Sequence, residues 1–268
     1  MSGYPNVVTA NLSAQDIEDY NRDGYLIVKG PVVEPATVDA ICRFAEDAYA
    51  TSPLTESGET PQLINCPHWK NPIVFDWLFD AAVLDIIESL IGPNIGLFAS
   101  HFLRKPSGSG KRVPWHEDSS YWRSMIESPM RVVSINLALE PWTTANGCLR
   151  VIPGTHANGF SDYKEVSNPE EQVFPAEILA EQMDESAAVD LVLDRGDISI
   201  HEAQIVHGSN ANTSDTSRSA FAMRYFPTSV KIKDNPDFSI YLARGVDLAG
   251  NHFADPDVRG ATVNGDDC

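Results

Sequence analysis

The sequence predicts a mainly β protein, a β-sandwich or jelly roll buttressed by α-helices at its N-terminal end. Three observations carry this. Helical spacing and capping signals are confined to about residues 12–92. From about 94 to 227, short apolar runs alternate with glycine and proline, the punctuation of strands and turns. A length of 268 residues suits a single all-β domain, 1–268, closed by a tail over 228–268.

Ser13 followed by Asp16 marks a helix start, related to the Ser/Glu capping box. That helix should run to about Asn21, with Asp23-Gly24 ending it and Tyr25–Val28 forming a buried strand. Pro35 suits the first turn of a second helix to about Ala50, with Val38, Ile41, Cys42 and Ala45 as its apolar stripe. Residues 51–65 read as an irregular polar loop, and Ala81–Ile91 as a third helix stopped by Gly92-Pro93. Strands are expected over Ile95–Leu103, Val113–Asp118, Arg131–Leu139, Cys148–Ile152, Ala188–Leu193, Asp197–His201, Gln204–Val206 and Arg218–Phe226. Between them, residues 155–187 form a long polar insertion, expected to be partly helical around Ala176–Met183. After Phe238 little regular pattern remains.

Net charge is −19, from 19 Lys and Arg against 38 Asp and Glu, which disfavours nucleic acid and anionic membrane as partners. No run of about 18 apolar residues occurs, and the N-terminus has neither a basic start nor an apolar block, so neither a spanning helix nor a secretory signal is expected. Cys42, Cys66, Cys148 and Cys268 form no CxxC pair and are expected as free thiols in a reducing, cytoplasmic setting. One local basic cluster stands out: Arg104, Lys105, Lys111 and Arg112 around Ser107-Gly108-Ser109-Gly110. It reads either as a solvated loop or as the rim of a site for an anionic small molecule.

Trp115-His116-Glu117-Asp118 and His207-Gly208-Ser209, with Arg218 eleven positions after His207, carry the chemistry. On a strand, His116 and Asp118 share a face and Glu117 points away. Two imidazoles and one carboxylate, with open positions beside them, suit non-heme Fe(II). A planar guanidinium at Arg218 suits a carboxylate next to that metal. Neither short motif is specific alone; the joint order is. Small Ala220 and Ala222 follow Arg218 on its face and leave room for a ligand. Arg224 lies on that face too, but six residues on is roughly 20 Å away, too far to serve the same anion. His201 ends another apolar strand and is read as a site-wall or core residue. Trp122 is either a substrate contact or an anchor for its loop, and Asn136 either a site residue or a solvated face.

Further blocks run in the same order: Asp23-Gly24-Tyr25, Lys105-Pro106, WHEDSSYW at 115–122, NGCLRVIPGTH at 146–156, GD at 196–197, HGSNANTS at 207–214 and SRSAFAMRY at 217–225. With these the chain resembles the phytanoyl-CoA dioxygenase family of Fe(II)- and 2-oxoglutarate-dependent oxygenases. The resemblance implies a cupin-like double-stranded β-helix as the jelly roll. It also implies His116, Asp118 and His207 as metal ligands and catalytic centre, with Arg218 and Ser209 on the distal carboxylate of 2-oxoglutarate. Ser134 matches a hydroxyl position that reaches the cosubstrate in the family, and Lys105 and the basic cluster border the site. The family usually has Gln where Glu117 stands. The implied reaction consumes O2 and 2-oxoglutarate, releases succinate and CO2, and hydroxylates a small-molecule substrate. Asp118 argues against the related halogenases, which leave that ligand position empty. Two rivals use the same donors: a cupin-like isomerase or hydrolase with Zn2+ or Mn2+ as Lewis acid, and a non-catalytic metal-dependent binding module. Arg218 has no evident purpose in the first.

Overall fold

The computed structural model describes residues 6–55, 58–127 and 129–257. Helices are α1 (Ala14–Asp23), α2 (Pro35–Thr51), α3 (Pro67–Lys70), α4 (Ile73–Leu78), α5 (Ala81–Ile91) and α6 (Ser119–Trp122). Strands are β1 (Val7–Val8), β2 (Tyr25–Val28), β3 (Leu63–Asn65), β4 (Ile95–Lys105), β5 (Val113–His116), β6 (Val133–Ala138), β7 (Leu149–Val151), β8 (Tyr163–Glu165), β9 (Ala176–Ile178), β10 (Val189–Leu191), β11 (Ile198–Glu202), β12 (His207–Ser209), β13 (Arg218–Pro227) and β14 (Tyr241–Arg244). A major sheet runs β1-β2-β11-β6-β13-β4-β14, with β3 also on β4. A smaller sheet runs β10-β7-β12-β5. The two face each other across Tyr25, Ile27, Ala138, Leu149, Val151, Leu191 and Ala220, giving a jelly-roll core.

Local chemistry explains the helical buttress. Ser13 Oγ accepts from Asp16 N while Asp16 Oδ2 accepts from Ser13 N, a reciprocal cap. Gly24 ends α1 at φ 80°, and an added Cβ would meet the His156 ring at 2.5 Å. That position needs glycine twice over, for its left-handed backbone and for space. Asp80 caps α5 by accepting from Ala82 N at 2.9 Å.

Period-two alternation on β13 decides which side faces what. Phe221, Met223 and Tyr225 pack against Val38, Ile41, Trp77, Leu78 and Ile87 of the helices. Burying each of these large side chains contributes about 1.5–3 kcal/mol. The other face, Arg218, Ala220, Ala222 and Arg224, is thereby turned toward the smaller sheet.

Several expectations need correction. The strand expected over Val113–Asp118 stops at His116, and Asp118 is in the αR region at the start of α6. Gln204–Val206 is a turn and bend; the strand begins at His207. The loop over 51–65 ends in β3, which pairs with β4 because Leu63 and Asn65 meet Leu103 and His101. The 155–187 insertion is a β8–β9 hairpin with short 3-10 turns rather than an α-helix, its middle being rich in Pro and Glu. The tail contributes β14 to the major sheet. Cys42 and Cys148 are free thiols, but Cys66 is disulfide-bonded; separation in sequence says nothing of proximity in space.

Candidate metal centre

His116 ends β5 and His207 opens β12, and antiparallel pairing sets the two residues directly opposite each other. Their ring centroids are 4.2 Å apart. Asp118, two residues past the strand, is swung back over them by the first turn of α6. One donor atom from each of His116, Asp118 and His207 lies within 4.8 Å of the other two, and all three residues are buried.

The imidazoles are oriented by backbone. His116 Nδ1 is 2.8 Å from Pro114 O, and His207 Nδ1 is 3.0 Å from Ile205 O. A carbonyl can only accept, so Nδ1 carries the proton and each Nε2 presents a lone pair. Both Nε2 atoms stand 3.8 Å from Asp118 Oδ1. Burial first, and the neighbouring imidazole second, push His116 down to about 3. Burial likewise takes His207 to about 4. Burial pushes the Asp118 carboxyl up, but the Arg224 guanidinium and then the His201 and His207 rings outweigh it and hold it well below the usual range. Two neutral imidazoles and an ionised carboxylate around a shared gap are the protonation states a divalent transition metal requires. The donor set therefore fits Fe(II).

Asp118 Oδ2 is held from beneath by one row of the major sheet. Register sets Arg224, Ser134 and His201 side by side on β13, β6 and β11. Ser134 Oγ donates to Oδ2 at 3.1 Å, Arg224 Nη2 donates at 3.2 Å, and His201 Nε2 approaches to 3.6 Å. The two carboxylate oxygens thus have separate surroundings: Oδ1 faces the imidazoles, Oδ2 the supporting row. Arg224, set aside on distance in the sequence, belongs to the metal centre. Its same-face position relative to Arg218 was the available signal; what the sequence withheld was how α6 brings Asp118 across. Ser134, expected on the cosubstrate, donates its hydroxyl proton to Asp118 in this structure.

A cavity of about 370 Å3 opens above these groups, lined in part by His116, Asp118, His207, Ser209, Arg218 and Arg224. Trp122, Asn136 and Lys105 line it as well. Arg218 is 5% exposed, and its Cζ sits 3.8 Å from the Trp142 ring centroid. Burial lowers its pKa to about 10. Arg218 Nε and Ser209 Oγ are buried without hydrogen-bond partners among the described residues. Lys105 turns inward, donating to Lys111 O and, at 2.9 Å, to Asn210 O; burial and then Arg218 lower its pKa to about 6. The basic cluster is therefore not a free rim: Arg104 faces Glu46 at 3.6 Å and Arg112 pairs with Glu177. Trp122 lines the cavity and packs edge-on to Phe98 at 5.1 Å, which anchors its loop. Asn136 donates to Ser199 Oγ at 3.3 Å. Glu117 is fully buried, accepting from Ser119 Oγ at 3.1 Å and Ser161 N at 2.5 Å, so it anchors the insertion.

The family model described as phytanoyl-CoA dioxygenase matches residues 20–220, three quarters of the sequence. The chain belongs to that family. Among its phytanoyl-CoA dioxygenase family relatives, an ectoine dioxygenase of Bordetella parapertussis is 25% identical over 231 residues, covering 80% of this chain and 75% of the relative. A phytanoyl-CoA dioxygenase domain-containing protein 1 homolog of Dictyostelium discoideum is 31% identical over 161 residues, covering 59% and 56%. Of solved structures, the non-heme monooxygenase ThoJ superposes with a TM-score of 0.71 at 24% identity, over 91% of this chain and 89% of that one. EctD from S. alaskensis, solved with 2-oxoglutarate and 5-hydroxyectoine, gives 0.67 at 22% identity, over 84% and 79%. These likenesses establish a shared jelly-roll fold.

Proposed function

We propose that this protein is an Fe(II)- and 2-oxoglutarate-dependent dioxygenase that hydroxylates a C–H bond of a small metabolite. The convergence of His116, Asp118 and His207 donor atoms within 4.8 Å carries the reading. Membership of the phytanoyl-CoA dioxygenase family supports it.

His116 Nε2, His207 Nε2 and Asp118 Oδ1 would hold the iron. Bound iron with 2-oxoglutarate and O2 supplies an oxidative decarboxylation that yields succinate and CO2 and transfers the second oxygen atom into a substrate C–H bond. The protein's part is binding, orientation and exclusion of water. Pro114 O and Ile205 O keep both imidazoles in the ligating tautomer. Ser134 and Arg224 hold Asp118 Oδ2, so a single carboxylate oxygen is left to ligate. Arg218 and Ser209, with unpartnered polar atoms beside the cavity, take the distal carboxylate of 2-oxoglutarate. Trp122, Tyr121 and Phe174 shield the cavity from water.

The test is succinate formation by the Fe(II)-loaded protein with ascorbate and 2-oxoglutarate, over a library of small metabolites. Turnover that needs iron and disappears in His116→Ala, Asp118→Ala and His207→Ala is expected. Undiminished turnover in any of the three variants removes that residue from the site, and metal-independent turnover defeats the proposal.

A further inference from the structure

The inner face of the major sheet is laid out in rows. Along β13, Arg218, Ala220, Ala222 and Arg224 follow one another on one side. Cross-strand register flanks Ala220 with Leu103 and Ala138, Ala222 with His101 and Asn136, and Arg224 with Ala99 and Ser134. The cavity floor therefore runs from a guanidinium, over an apolar row, over a polar row, to a second guanidinium. On the dioxygenase reading the Arg218 end takes 2-oxoglutarate, which leaves the Arg224 end without an assigned ligand.

Three features of that end point to a ligand. Arg224 is 9% exposed and lines the cavity, yet among the described residues only Nη2 has a hydrogen-bond partner and Nε and Nη1 have none. Buried guanidinium N–H groups without acceptors are unfavourable, and the guanidinium has no acceptor capacity of its own with which to adapt. Next, the cavity wall carries the two guanidiniums of Arg218 and Arg224 against one acid among the described residues, Asp118, in a chain of net charge −19. Asp118 Oδ2 already accepts from Ser134 and Arg224, and Oδ1 faces the metal-ligating imidazoles. A cationic interior in an acidic protein concentrates anions at that place. Finally, the Trp122 ring centroid stands 5.2 Å from Arg224 Cζ, a contact that holds the guanidinium at the cavity wall.

We propose that Arg224 forms a second anion subsite, at the opposite end of the cavity floor from Arg218, that receives the carboxylate of the substrate. The substrate is then a small carboxylic acid whose carbon body lies against Tyr121 and Phe174, whose rings sit 5.4 Å apart beside His116. A dianionic phosphate would need more donors than one guanidinium already engaged with Asp118 supplies.

Binding of matched pairs tests this: hexanoate against hexanamide and phenylacetate against phenylacetamide, with inorganic phosphate as a separate arm. The protein is loaded with Mn(II), kept anaerobic and saturated with 2-oxoglutarate, and binding is followed by tryptophan fluorescence and calorimetry. Each acid should bind about tenfold or more tighter than its amide. That ratio should fall to near unity in Arg224→Gln and be partly restored in Arg224→Lys. Because acid and amide are compared within one variant, altered metal occupancy through Asp118 cancels. Equal binding of acid and amide to the wild type, no binding of either acid at millimolar concentration, a ratio unchanged in Arg224→Gln, or tighter binding of phosphate than of the acids would each overturn the subsite. Failure of 2-oxoglutarate to bind, with the ratio preserved, would instead strike the dioxygenase reading and leave the subsite standing.

Discussion

Replacing Arg218 with Met should move ligand affinity and stability in opposite directions. The guanidinium is 5% exposed, stacked 3.8 Å from the Trp142 ring centroid, and its Nε lacks a partner. Removing a buried charge from an ion pair costs about 2–5 kcal/mol, so the Kd for 2-oxoglutarate should rise by roughly 30-fold to several thousand-fold. Without ligand the same charge is a burden. Burial lowers its pKa from the ordinary guanidinium range to about 10, which corresponds to about 3 kcal/mol before the offset from stacking on Trp142. Methionine keeps the volume over the indole and removes the charge, so the ligand-free variant should be about 1–3 kcal/mol more stable. Calorimetric titration of 2-oxoglutarate into the Mn(II)-loaded protein reads the first effect, and urea unfolding of the metal-free protein reads the second. A Kd within threefold of wild type would show that another cation holds the cosubstrate, and a destabilised ligand-free variant would refute the account of Arg218 as an unpaired buried charge.

Ser134→Ala removes one of the bonds to Asp118 Oδ2 and should weaken Mn(II) binding about tenfold while leaving 2-oxoglutarate affinity in the metal-saturated protein unchanged; a selective loss of 2-oxoglutarate affinity would place this hydroxyl on the cosubstrate. Glu202 should make stability depend on pH, since burial raises its pKa from 4.5 to about 7. The folded state then binds more protons between those values, so stability falls as pH rises through that window, by about 3 kcal/mol once above it. Urea midpoints should show Glu202→Gln more stable than wild type at pH 8, with a much smaller difference at pH 5; the opposite trend would mean that Glu202 is held as a stabilising anion. Gly24→Ala should lower stability by more than the about 1–2 kcal/mol of a left-handed alanine, because the new methyl meets the His156 ring at 2.5 Å. A neutral result in thermal melts would show that the 155–158 turn yields freely.

Elements defined by local chemistry were legible in the sequence. The Ser13 cap, Gly24, the Tyr25–Val28 run and the Ala81–Ile91 periodicity each follow from groups a few residues apart. The metal triad was legible as a pattern, but for a reason that needs amendment: alternation along a strand does not bring His116 and Asp118 together, because the strand ends at His116 and α6 folds the aspartate back. Features made by pairing at a distance were hidden. His207 begins its strand where it meets Val151 and His116, and the apolar run before it gives no sign of that edge. The distance that separates Arg224 from Arg218 along the strand was legible, but its contact with Asp118 was not, because that depends on how α6 carries the aspartate across the sheet.

The β8–β9 insertion is stitched to the strand that carries His116. Arg112 pairs with Glu177, Trp115 N donates to the same carboxylate at 3.3 Å, and Val173 N donates to Arg112 O at 2.9 Å. Phe174, next along, rests edge-on to the His116 ring at 5.1 Å. Phe174 and the strand that carries His116 are thus tied through the same few contacts, so a displacement that lifts Phe174 would pull on the backbone that positions His116.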